Sequence, residues 1–221
     1  MLRNIGLLLL AVGVFACTPK ITPNLPSKIT TDQSYLFYLH GGVVQAQGIP
    51  AVSSYYGRYE YLKILKTLRS HDFYVISEVR PKDTQEDAYA RKVSAQIDSL
   101  ILSGVPASNI YVVGASLGAY ITVDLAHMRQ QPDMNYALLG LCSEYALDYY
   151  QKYKGKLCGN FLSIYETSDS KGPCQSIFIE PQCGYSFEEK ALNMGIDHAF
   201  LFKPYDEWVK PLVAWTKSTK R

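Results

Sequence analysis

The stretch Ile110-Tyr111-Val112-Val113-Gly114-Ala115-Ser116-Leu117-Gly118 reads as an apolar, β-branched strand that runs into a tight turn. A helical pattern follows through Met128, and Pro132 lies just beyond it. Gly114 and Gly118 flank Ser116 at two-residue spacing. Small residues there allow a strained turn to present a serine without side chains striking neighbouring backbone. The competing reading is an ordinary strand-to-helix turn in which Ser116 caps the helix.

Outward from this stretch, strands alternate with helices. Residues 35–39 form a short apolar strand ending at His40-Gly41-Gly42, and residues 73–76 form another, with helical spacing of Leu62, Ile64 and Leu65 between them. The capping-box-like segment Asp83-Thr84-Gln85-Glu86-Asp87 opens a helix with Val93, Ile97, Leu100 and Ile101 on one face, stopped by Gly104. Residues 136–141 and 160–165 read as strands around a helix at 145–153. Trp208, Val209, Leu212 and Trp215 mark a last helix that Pro211 delays or kinks. This alternation predicts an α/β domain with a mainly parallel sheet covered by helices on both faces.

The 221 residues suit one domain, and 48% hydrophobic content supplies a full core. The 22 Lys+Arg against 20 Asp+Glu leave a net charge of +2, so nucleic acid is not an expected partner. C-x-x-C, H-E-x-x-H and Walker patterns are absent, so no metal or cofactor is expected. At the N-terminus, Arg3 precedes an apolar run at 5–15 that is too short to span a bilayer. Val14-Phe15-Ala16-Cys17 resembles a bacterial lipobox, which implies that Cys17 is lipidated; an ordinary signal peptide cut nearby is the alternative. Residues 1–16 are then a removed signal peptide, 17–28 with Pro19, Pro23 and Pro26 an extended tether, and 29–221 the folded domain. The protein is expected to be exported to an oxidising compartment, periplasmic or cell-surface, touching a membrane only through its lipid.

A nucleophilic Ser116 needs a base. His127 lies about 16 Å further along the helix, too far for a hydrogen bond. His71 sits in a loop before a strand, which leaves His198 ahead of the last helix. The base needs a carboxylate, and the strand ending near Tyr165 is followed by Glu166 and Asp169. Asp169 is preferred, being far enough round the turn to face a site at the strand tips, with Glu166 as competitor. Asp197 adjoins His198 and is a poor partner.

Ser116, Asp169 and His198, in that chain order, resemble the α/β-hydrolase superfamily, in particular its small carboxylesterase and dienelactone-hydrolase branch. The resemblance covers residue 35 to the C-terminus. It implies a three-layer sandwich with strand order 4-3-5-6-7-8 in the family's labels, trimmed at the N-terminus and without a cap domain. His40-Gly41-Gly42 is similar to the family's oxyanion motif. It implies one oxyanion amide from Gly42 or Val43, a second from Leu117, and a structural role for His40.

Eighteen tyrosines stand against eight phenylalanines. Most are expected to pack on helix faces, with Tyr55, Tyr56 and Tyr145 as candidate pocket walls. Of the four remaining cysteines, Cys174 and Cys183 both follow the acid turn and are the expected disulfide. The function these residues imply is a serine hydrolase of small-molecule carboxylic esters, with short acyl chains favoured where no cap encloses the site. An inactive binding lipoprotein, a thioesterase and a peptidase are the alternatives.

Overall fold

The computed structural model describes residues 22–178, 183 and 186–219. Cys17 and the signal segment lie outside the described residues. The chain runs β1 (Ser34–Leu39), α1 (Gly42–Gln47), β2 (Ala51–Ser53), β3 (Gly57–Tyr59), α2 (Tyr61–Arg69), β4 (Phe73–Ile76), α3 (Glu86–Leu102) and β5 (Ile110–Ala115). It continues with α4 (Leu117–Arg129), β6 (Asn135–Leu139), α5 (Glu144–Tyr150), β7 (Asn160–Glu166), β8 (Ser186–Leu192) and α6 (Asp206–Thr219).

Six strands form one sheet, ordered β4-β1-β5-β6-β7-β8, and every pairing in it is parallel. Since β1 takes the place of the family's third strand, this is the expected 4-3-5-6-7-8 arrangement. Strands buried on both faces read as continuous apolar runs, which is why β1, β5 and β6 are legible in the sequence. Two apolar clusters sandwich the sheet: α3, α4 and α5 contribute to one, α2 and α6 to the other. Residues 140–159 hold only α5 and a single 3-10 turn, so no cap domain is inserted there.

Local details differ from the sequence reading. Residues 51–59 form an antiparallel hairpin, β2 with β3, where only a loop was expected. Pro211 lies inside α6 instead of delaying its start. Gln85 precedes α3 without a side-chain cap, so the capping box does not form. Residues 22 and 23, expected in an extended tether, are held on the domain: Thr22 bridges Ile76 at the β4 edge, and Pro23 accepts a hydrogen bond from Gln96 at 3.0 Å.

The expected Cys174–Cys183 disulfide is not formed; the bonds are Cys142–Cys174 and Cys158–Cys183. Parallel topology is the reason. Cys142 leaves the C-terminal end of β6, and the segment after β7 folds back onto it through the Cys142–Gly172 bridge, bringing Cys174 there. Cys158 and Cys183 precede the adjacent strands β7 and β8, at the opposite end of the sheet. Cys174 and Cys183 are thus separated by the height of the sheet.

Candidate active site

Ser116 sits between β5 and α4 at φ 51°, ψ −115°, a region a non-glycine residue occupies only under strain. Its side chain makes no cap to α4, so the simple capping reading fails. The flanking glycines are both required. A Cβ on Gly118 would lie 1.9 Å from the Leu39 carbonyl oxygen, and one on Gly114 would lie 2.3 Å from the Gly118 carbonyl. The turn is tight because α4 starts in contact with β1 and β5.

The acid turn leaves β7, and the histidine turn follows β8, its neighbour in the sheet. His198 Nδ1 donates to Asp169 Oδ2 at 2.5 Å, with both side chains largely buried. The pairing leaves Nε2 free on the other edge of the ring. His198 and Ser116 open into one cavity of about 540 Å³. The structure contains no Ser116–His198 hydrogen bond. Of the other histidines, His71 lies at the opposite end of the sheet beside Asp72, and His127 stacks on Tyr153 at 4.0 Å.

Glu166, the competing carboxylate, bonds backbone amides instead of His198. Its fully buried carboxylate accepts the amides of Met194 (2.9 Å), Gly195 (3.1 Å) and Ser168 (3.4 Å). Burial alone would raise its pKa, but these amides hold it below the usual carboxylate range. Ser168 Oγ also accepts the Asp197 amide at 2.9 Å. Glu166 and Ser168 therefore lash the Asp169 turn to the His198 turn.

His40 orients the Gly41–Gly42 loop. Its Nε2 accepts the Arg80 amide at 3.0 Å, so Nδ1 carries the proton and donates it to the Gly41 carbonyl at 2.9 Å. In a trans peptide the C=O and N–H point opposite ways, so a Gly41 carbonyl held by His40 turns the Gly42 N–H away from that ring. The same rule applies at the serine. The Ser116 carbonyl accepts the Ala119 amide at 2.8 Å, so the Leu117 N–H points back out of the helix start. Burial, and then the Arg80 charge, push His40 down to about 3, so it stays neutral. Arg80 is itself buried: its guanidinium bonds the His40 carbonyl and the Gln45 side chain (Nε to Oε1, 2.8 Å) and lies 5.3 Å from the Tyr89 ring centroid.

Gly42 and Val43 line the cavity with Tyr56 and Tyr59, the latter missed in the sequence. Tyr56 hangs from the unexpected hairpin, 6.4 Å from the His198 ring. Tyr55 and Tyr145 are not walls of this cavity. Tyr55, 89% exposed, points out from the hairpin turn, and Tyr145 lies beyond the Leu117 side chain in a separate cleft. Gly140 was also missed: at φ 60°, a Cβ there would stand 3.1 Å from His198 Cε1. Among the described residues, no group of three His, Cys, Asp or Glu side chains could hold a metal ion, and no helix is long and apolar enough to cross a membrane.

No family model and no curated protein matches the sequence. Solved structures do match. SOBER1 from Arabidopsis thaliana superposes with a TM-score of 0.55 at 14% identity, over 86% of this chain and 100% of that one. Est1E from Butyrivibrio proteoclasticus, with ferulic acid bound, gives 0.53 at 13% identity over 88% and 91%. Esterase B from Lactobacillus rhamnosis gives 0.58 at 14% identity over 88% and 78%. At such identities the likeness speaks for architecture alone: the chain has the α/β-hydrolase fold.

Proposed function

We propose that the protein is a serine hydrolase of carboxylic esters. The observation that carries the reading is the Asp169–His198 pair at 2.5 Å, opening on one cavity with a strained Ser116. Ser116 Oγ attacks the ester carbonyl carbon while His198 Nε2 takes its proton. The oxyanion is held by the amides of Leu117 and of Gly42 or Val43. Collapse expels the alcohol, which receives the proton from His198. Water, deprotonated by the same ring, then releases the acid and restores Ser116.

The esterase neighbours named above support this chemistry by analogy of fold. Without a cap domain, apolar burial around the acyl group must come from the hairpin and from Leu201 and Phe202. Each buried CH₂ is worth about 0.8 kcal/mol only while the wall still covers it. Short acyl chains are accordingly the proposed substrates. Rates on p-nitrophenyl esters from acetate to palmitate test the reading. The expected profile peaks at a few carbons and vanishes in Ser116→Ala; a maximum at palmitate would contradict it. Export and lipidation at Cys17 are part of the proposal, and Cys17→Ser should move the protein from a membrane fraction to a soluble one.

A further inference from the structure

On the far side of Leu117 from the catalytic cavity lies a second cleft of about 320 Å³. One face of α4 supplies its floor through Leu117, Tyr120 and Asp124, at i, i+3 and i+7. The opposite wall is Tyr145, Tyr149 and Tyr150 of α5, and Glu86 at the start of α3 closes one end. Tyr145 and Tyr149 are exposed, 69% and 41%, and their rings lie nearly parallel, 6.1 Å apart.

Two features set the chemistry of an occupant. The lining holds two carboxylates and no Lys, Arg or His. Moreover, Asp124 Oδ1 is buried without a hydrogen-bond partner. Burial raises the pKa of Asp124 against the opposing pull of Lys152 and the Tyr153 hydroxyl. The Oδ1 oxygen lies just beneath the cleft surface, so a positive charge in the cleft would stabilise the carboxylate through space without bonding that oxygen directly. The walls suit the same charge, because tyrosine faces attract ammonium groups. Lys152, outside the lining, already does this: its Nζ stands 3.5 Å from the Tyr149 ring centroid and 4.9 Å from that of Tyr153.

We infer that this cleft binds an organic ammonium group, seated against the α5 tyrosines and neutralised by Asp124 and Glu86. Asp124 stands two helical turns from Ser116, roughly 12 Å at 1.5 Å per residue, so the group belongs to the remote end of a long substrate or to a separate effector. The inference does not depend on ester hydrolysis, and its test involves no turnover.

The full chain is titrated calorimetrically with choline and with 3,3-dimethyl-1-butanol, which has the same shape without the charge. Choline should bind roughly tenfold more tightly than the alcohol, and added salt should narrow the gap. Asp124→Asn should erase the preference. Tyr145→Ala should weaken choline binding as well, and truncating so exposed a ring leaves the fold intact, which keeps the test open if the Asp124 variant does not fold. Equal affinities would make the cleft an apolar slot. Binding of glucose or xylose in preference to choline would make it a sugar platform. No binding of choline would remove the site; any of these three results overturns the inference.

Discussion

Glu166 accepts the Met194 amide at 2.9 Å, so the last residue of β7 holds the loop that carries His198. The aspartate and histidine of the pair lie on separate turns, and this carboxylate fixes the distance between them.

Replacing Glu166 with Gln leaves one acceptor oxygen where two now receive amides. We expect kcat to fall roughly 10- to 100-fold, as displacement of a catalytic group by about 1 Å does, with KM little changed. The folded-state pKa of Glu166 is depressed, so its contribution to stability is present above the unfolded value near 4.3 and is lost as pH falls through the lower, folded value. Acid unfolding curves should therefore be shallower below about pH 4 in Glu166→Gln than in the wild type.

His40, neutral where Glu166 is charged, gives the same sign of pH dependence. Its folded pKa of about 3 lies below the unfolded 6.5, so between these values the unfolded chain binds the extra proton. Stability should drop as pH falls through that window, by on the order of 4 kcal/mol at its acid end. Nitrogen NMR should show one histidine fixed as the Nδ1–H tautomer and not titrating from about pH 5 to pH 8. An ordinary titration near 6.5 for His40 would show that it does not aim the Gly42 amide.

Much of this arrangement was legible because it is imposed locally. Gly114 and Gly118 announce the Ser116 turn, since backbone contact forbids any Cβ there. The buried parallel strands show as apolar runs. The rest depends on neighbours distant in sequence. Glu166 and Asp169 share one turn, and only the amides of Met194 and Gly195 decide which of them is the strut. Cysteine pairing depends on which end of the sheet each residue reaches. The hairpin strands have three residues each, too few to show a period, so the separate fates of Tyr55 and Tyr56 were hidden.

Gly140 should be specific to function where Gly118 is specific to folding. Gly140→Ala adds a methyl against His198, Leu201 and Phe200 at 3.1–3.3 Å and strains a positive φ, costing about 1–2 kcal/mol. The protein should fold, with kcat reduced at least roughly tenfold by the displaced imidazole. Gly118→Ala, whose methyl would overlap the Leu39 carbonyl, should yield no soluble protein; comparing soluble yield and kcat for the pair checks both statements.

The two disulfides close loops of 32 and 25 residues. A non-reducing peptide map should link Cys142 to Cys174 and Cys158 to Cys183. Each should contribute roughly 3–4 kcal/mol, so reductant should lower Tm by many degrees. A Cys174–Cys183 peptide would contradict the fold-back of the acid loop onto β6.

The proposed hydrolysis stands or falls on Ser116 being a nucleophile activated by His198. A fluorophosphonate adduct located by peptide mass mapping tests it without any assumption about substrate. One adduct is expected, on Ser116, absent from Ser116→Ala and formed at least roughly a hundredfold more slowly in His198→Ala. A folded wild-type protein that takes no adduct, or takes it on another residue, would contradict it.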